Sequence, residues 1–311
     1  MPGGIERDLK RRIRSVQATQ KITRAFELIA TSQIVRAQSR IAGAAPYRDG
    51  IARVLADTAK DAGSTAGRVL GVPESPRRVL VLAIVADRGL CGAYNANVLR
   101  PTERLVRSSG ETGTQYRLVT VGRKAQSFFR FRRLEVEQSF IGFSDRPAFS
   151  DAKRVAEAIT PPFLEEEVDQ VLVVSTRFFS AGRQAVETRQ LLPLPERSSS
   201  DRDQGAEGGE VAGAAGRQGL QGYTEFEPES PDLLVELVPR YAEAAVFGAM
   251  LEASASEHTA RQRAMAAATD NAEELVKTLT REMNRARQDS ITTEIMEIVG
   301  GAEALRRAAR S

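Results

Sequence analysis

Apolar residues near the start of the chain recur three or four positions apart: Ile5, Leu9, Ile13 and Val16, then Ile22, Phe26, Ile29 and Ile34. That period places them on one face of an α-helix, with Arg7, Lys10, Arg11, Arg14, Lys21 and Arg24 on the opposite faces. No proline or glycine falls between Gly4 and Gly43, so the pattern predicts one helix over 5–42. Gly43 and Pro46 predict a break or bend, with a second helical segment from about Arg48 to Ala62. At the other end, Ser230-Pro231 supplies an N-cap and a proline at the first helical position. Pro239 predicts a kink, and Gly300-Gly301 a weakening of the helix. Between them, alternating steps of four and three run through Leu237, Tyr241, Ala244, Gly248, Leu251, Ala255, His258 and Gln262. They continue through Met265, Thr269, Ala272, Val276, Leu279, Met283 and Ala286, which makes a heptad seam. A helix over about 240–299 is roughly 90 Å long. Ordinary globular helices have about 10–14 residues. Such a helix cannot bury itself in one compact core. It needs a partner, and the N-terminal helix is the nearest; the many small seam residues let that partner approach closely.

The middle of the chain has a different period. Val79–Val85 is a short continuous apolar run rich in β-branched residues, as in a strand buried on both faces. Tyr116–Val121, Gln170–Ser175 and Ala185–Leu192 read as three more strands. A helix to about Ser108 and another over Ser150–Glu166 alternate with them, which predicts an α/β domain with a mainly parallel sheet. The domains expected are 1–62, N-terminal helix and extension; 76–195, the α/β domain; 196–222, a loop; and 223–311, the return and long C-terminal helix. Residues 63–76 form a linker rich in Gly, Ser and Pro, and 196–222, with its glycines scattered among charges, reads as disordered.

Composition narrows the chemistry. The single Cys91 leaves no internal disulfide and no multi-cysteine metal site, and the single His258 removes most histidine-based sites. No apolar run is long enough to cross a membrane. The N-terminus lacks the apolar core of a signal peptide, so a cytosolic protein is expected. Residues 1–60 hold twelve Lys/Arg against five Asp/Glu, whereas 196–232 hold three against nine, so the basic end predicts an anionic partner surface. Phe26 is the one aromatic in the basic helix, too few for nucleic-acid stacking, and no nucleic-acid partner is expected.

Candidate chemistry is sparse. No Walker A sequence occurs. Arg88-Gly89-Leu90-Cys91-Gly92 follows the first strand, where phosphate loops occur, but Gly-x-x-Gly reads first as a structural turn and only second as an anion contact. Cys91 reads as a buried small residue before a reactive thiol. His258 reads as a hydrogen-bonded seam residue before a proton shuttle. Adjacent Glu165, Glu166 and Glu167 point in different directions and read as a solvated helix end. The sequence therefore predicts no catalytic, cofactor-binding or metal residues. The most suggestive stretch is polar. Arg287 and Glu294 share one face of the last helix, as do Gln288 and Thr292, and together they offer hydrogen bonds to a partner.

Four stretches carry a family likeness: Arg12–Thr23, Asp87–Asn95, Ala266–Ala272 and Ala286–Ile295, the last completed by Glu297–Ala302. Together they resemble the gamma-subunit family of F-type ATP synthases, over nearly the whole chain except 196–222. The resemblance implies a long antiparallel coiled coil formed by the N- and C-terminal helices, plus a central, mainly parallel α/β (Rossmann-like) domain. It implies a non-catalytic rotor shaft, one copy per three alpha and three beta subunits, with epsilon and the membrane c-ring as further partners and no cofactor. By matching position, Arg287, Gln288, Thr292 and Glu294 should meet a beta-subunit loop, and Lys21, Arg24 and Phe26 the acidic lever region of beta. Phe26 stands where the family often has Met, and Asp289 where it often has a small residue. The resemblance also implies a peripheral place at the cytoplasmic face of a bacterial plasma membrane. Two readings from other classes remain: an α/β enzyme using the Gly89–Gly92 turn, and a passive coiled-coil scaffold.

Overall fold

The computed structural model describes residues 3–61, 69, 76–108, 113–194 and 230–308. The linker over 63–76 lies almost entirely outside the described residues, and the loop over 196–222 entirely so. The elements run in the order α1 (Gly3–Asp61), β1 (Arg78–Ile84), α2 (Tyr94–Arg107), β2 (Gln115–Val121), α3 (Arg123–Phe131) and β3 (Gln138–Phe140). Then follow α4 (Phe149–Ile159), α5 (Pro161–Leu164), β4 (Gln170–Phe178), β5 (Gln184–Leu192) and α6 (Ser230–Ala308). They divide between two compact units: residues 33–259, and residues 1–32 with 260–311.

In the first unit the sheet order is β3-β2-β1-β4-β5, with β1, β2, β3 and β4 parallel and β5 antiparallel to β4. Strand β1 is the centre because both of its faces are covered. Leu80, Leu82 and Ile84 pack with Leu55 of α1, Val155 and Ile159 of α4, and Val246 and Met250 of α6. Val79, Val81 and Ala83 pack on the other face with Val98 and Leu99 of α2 and Ala125 and Phe129 of α3. A strand alternating between two apolar layers has no position left for a polar side chain, which is why its sequence reads as one continuous run. Three expectations change here. Helix α3 and strand β3 lie in a stretch the sequence pattern left unassigned. The helix expected over Ser150–Glu166 is two helices, because Pro161 and Pro162 start a new turn at Thr160.

Of the break or bend expected at Gly43 and Pro46, the break does not occur: α1 is continuous from Gly3 to Asp61 with Pro46 inside it. Buried Ala37 and Leu55 anchor the helix on either side of the proline, and packing outweighs the missing hydrogen bond. Gly300-Gly301, expected only to weaken the helix, lie inside α6, which runs to Ala308.

In the second unit the seam of α6 is buried at Met265, Thr269, Ala272 and Leu279, as its heptad predicts. The facing seam of α1 is not the one the apolar pattern predicts. Its inward positions are Leu9, Ile13, Val16, Gln20, Thr23, Glu27 and Ala30, a continuous alternation of steps of four and three. After Val16 the large apolar residues leave that seam: Ile22 and Ile29 are each 56% exposed, and Phe26 is exposed as well. Small and polar side chains replace them, and the hydroxyls of Thr23 and Thr269 meet at 2.8 Å across the seam.

Candidate partner-contact surface

The sequence offers two candidate sites, the turn after β1 and the polar stripe on the long helices. The turn lies at the carboxyl end of β1, beside the point where the strand order reverses, the usual ligand crevice of an open α/β sheet. Here the protein fills that position with its own carboxylate. Asp87 accepts hydrogen bonds from the backbone N–H of Arg123 at 2.9 Å, Gly142 at 2.8 Å and Ser144 at 3.0 Å. The Arg123 N–H is at the start of α3, where a phosphate would otherwise bind. Burial pushes the Asp87 carboxyl up, but these backbone donors and the Ser144 hydroxyl outweigh it and hold it below the usual carboxylate range. Gly122 lets the chain pass: its φ is +103°, and a Cβ there would stand 2.2 Å from the Val85 carbonyl oxygen. Asn95 accepts from the Ala86 N–H at 2.9 Å and donates to Cys91 Sγ at 3.2 Å, and Cys91 is buried. The Tyr94 hydroxyl donates to the Ala253 carbonyl of α6 at 3.0 Å. The turn is thus built as a structural joint, as its sequence first suggested.

His258 is buried, with Nε2 3.0 Å from the Asp145 carbonyl oxygen, which also accepts from the Ser254 hydroxyl at 2.8 Å. One of its partners is therefore a loop of the α/β unit. Among Glu165, Glu166 and Glu167, the last pairs with Arg117 at 2.7 Å, an interaction the sequence did not reveal.

The polar stripe lies at the surface throughout. Arg287, Gln288, Thr292 and Glu294 are all exposed. Thr292 donates to the Gln288 carbonyl at 3.0 Å, so its hydroxyl is already engaged with its own helix. Arg287 and Glu294 carry no ion pair among the described residues, which leaves both side chains available. On α1, Lys21 and Phe26 are exposed, whereas Arg24 is held by Glu27 of the same helix at 2.9 Å. The structure does not bring the two sets together. Thr23 faces Thr269, and in an antiparallel seam Lys21 and Phe26 then lie level with residues near 270, well before Arg287 on α6.

Sequence reasoning missed the apolar part of this surface. Carrying the same register outward one residue for one sets the first residue of α1, Gly3, level with about Asp289. Past that point no described residue of α1 faces α6, and residues 291–302 are exposed on every side. Ile291, Ile295, Met296, Ile298 and Val299 all stand in solvent, with Ile298 at 72% exposure. Further back, Ile22, Phe26, Leu28, Ile29 and Val35 of α1 are also exposed. The legible signal was the seam itself: once small and polar residues take the inward positions, the large apolar ones must face outward.

A family described as ATP synthase matches residues 6–305. The chain is 44% identical over 303 residues to the ATP synthase gamma chain of Parafrankia sp., covering 96% of this chain and 97% of that one. It is 45% identical over 305 residues to the ATP synthase gamma chain of Frankia casuarinae, with the same coverage. Among solved structures it resembles a chain of the Euglena gracilis mitochondrial ATP synthase OSCP/F1/c-ring assembly at a TM-score of 0.67. That pair is 19% identical, and the match covers 99% of this chain and 97% of the other. A chain of the Tetrahymena thermophila mitochondrial ATP synthase central stalk/c-ring matches at a TM-score of 0.59 and 22% identity, covering 79% of this chain and 99% of that one. These two likenesses are of fold.

Proposed function

The chain belongs to the ATP synthase gamma family, and on that premise we propose that it works as a non-catalytic rotor. It carries torque between an ion-driven membrane ring and a catalytic head of alpha and beta subunits, with epsilon as a further partner. The observation that carries this reading is the run of α6 over residues 291–302, where apolar and hydrogen-bonding side chains share a helix and are exposed on every side among the described residues. Exposed apolar area of this kind marks an interaction surface. Its polar members would act as holding points: Arg287, Gln288, Thr292 and Glu294 toward one region of a beta subunit, and Lys21, Arg24 and Phe26 toward another. Arg24 must leave Glu27 to make such a contact, and an exposed pair of this type contributes only about 0.2–1 kcal/mol, so the exchange is easy. Because the two sets lie at different heights and on different helices, each facing subunit meets a different surface at each angle. A shaft of this kind works by population shift: it favours, in each neighbour, the conformation that its current face binds best. No helix of the described residues is long and apolar enough to cross a membrane, which fits a peripheral place at the inner face of a bacterial membrane.

The test is reconstitution with purified alpha and beta subunits, followed by steady-state ATP turnover. One copy per three alpha–beta pairs with a sharp rise in turnover is the expected result. Arg287→Ala should lower that turnover while the isolated chain keeps its helix content. Assembly without any change in turnover would leave a passive scaffold and sink the rotor reading.

A further inference from the structure

We propose that the carboxyl ends of α2 and α3 form a docking surface for an anionic phospholipid bilayer. The two ends are locked side by side. Arg107 Nε and Arg132 Nε both reach Glu103 Oε1, at 3.0 and 3.2 Å, and Arg107 Nη2 donates to the Arg132 carbonyl at 3.3 Å. Around this lock stand Arg104, Arg130 and Arg133, all exposed and without an ion pair among the described residues. In their midst Phe131 is 81% exposed. It closes α3, and Arg133, in the left-handed region at φ 56°, turns the chain so that Leu134 and Val136 pack back against the core. Phe131 is the one exposed large apolar side chain among the described residues of α2 and α3.

Cations at a helix carboxyl end also complement its dipole, and that alone accounts for part of the arginine content. It does not account for the bare ring, nor for the contrast with other arginines at the same end of the sheet. There Arg78 is paired with Asp169, and Arg117 with Glu137 and Glu167. Charge is neutralised at those positions and left open around Phe131, where, among the described residues of α2, α3 and the turn after it, five arginines stand against Glu103 and Glu135. Protein interfaces also enrich aromatic residues and arginine, but around a buried core that is more apolar than the rest; here a single ring stands among arginines. One aromatic ring among guanidinium forks matches a bilayer interface, where the ring enters the headgroup–acyl boundary and the forks meet phosphodiesters. The proposal does not depend on the rotor reading and fails or stands separately from it.

The experiment is flotation of the purified full-length chain with phosphatidylcholine vesicles, with or without phosphatidylglycerol, at low and high salt. Binding is expected only with phosphatidylglycerol, and it should weaken as salt rises. Arg130→Gln combined with Arg133→Gln should lower the partition coefficient by about thirtyfold, at about fivefold per charge. Phe131→Ser should lower it too, and Phe131→Trp should retain it. Circular dichroism should be unchanged in each, since all three side chains are exposed. Arg7→Gln with Arg11→Gln, on the basic helix, should bind as the parent does. Equal binding to phosphatidylcholine alone, no binding at all, or loss in the Arg7/Arg11 variant instead would overturn the proposal. Sodium phosphate displacing more chain than sodium chloride of equal ionic strength would assign the site to free phosphate and overturn it. So would an Arg130/Arg133 variant that keeps vesicle binding but fails to assemble with partner subunits, which would assign the surface to an acidic protein.

Discussion

Asp87 fixes three backbone segments with one side chain, joining the end of β1 to the start of α3 and to the loop after β3. Asn in its place would present an NH2 group to backbone donors. Asp87→Asn is therefore expected to lower unfolding free energy by about 3 kcal/mol at neutral pH, measured by urea denaturation. The pH dependence has a definite sign. The folded carboxyl titrates below its unfolded value, so its stabilisation is complete above the unfolded carboxylate range and is lost as pH falls through the folded value. The gap between parent and Asp87→Asn should thus close in acid. If the gap stays constant down to the acid transition, the carboxylate charge is not what matters. Gly122→Ala tests the same joint sterically: with a Cβ 2.2 Å from the Val85 carbonyl oxygen, a loss of more than about 3 kcal/mol is expected. Neither role was visible in the sequence. Asp87 lay in a recognised turn, but its three donors come from residues 36 to 57 positions away, beyond the reach of any local pattern.

Elements were legible where one physical signal dominated. The sandwiched strand β1 and the seam of α6 read correctly because burial alone sets their patterns. Helix α1 shows how a local signal loses. Gly43 and Pro46 argue for a break or bend, yet the helix continues because it is held by packing on both sides. Pro46→Ala should therefore raise the melting temperature, with a gain of about 1–3 kcal/mol; a lower melting temperature would mean that the proline is needed at that point. The seam of α1 was misread for the opposite reason. Large apolar residues usually mark the inside, but here Thr23, Glu27 and Ala30 are inside and Ile22, Phe26 and Ile29 outside. Ile22→Ser and Ile29→Ser should each change the stability of the isolated chain by less than about 0.5 kcal/mol. Ala30→Leu, overpacking the seam, should destabilise by about 1–3 kcal/mol. A reversal of that order in thermal denaturation would restore the apolar seam.

For the molecule as a unit, the informative cluster joins chain segments far apart in sequence. Glu252 of α6 pairs with Arg48 of α1 at 3.4 Å and with Arg189 of β5 at 3.3 Å, and its side chain is 9% exposed. Gly248, one turn earlier, makes room for the Arg48 stem, whose Cδ would stand 3.0 Å from an added Cβ. One buried carboxylate thus ties both terminal helices to the edge strand. Glu252→Gln removes the countercharge from two half-buried guanidiniums, and a loss of about 3–5 kcal/mol is expected in chemical denaturation. Adding Arg189→Gln should recover part of it, because one orphaned charge goes with it.

The unaccompanied end of α6 has a consequence for the cell's economy of subunits. Residues 291–302 have neither a seam partner nor apolar cover among the described residues, so in a free copy their helix opens at little free-energy cost and presents Ile291, Ile295, Met296 and Ile298 as a pliable, greasy segment. A copy made without partners is expected to be cleaved first within residues 291–302 in limited proteolysis. Synthesis of this chain in step with whatever covers that segment is then a requirement written into the helix itself.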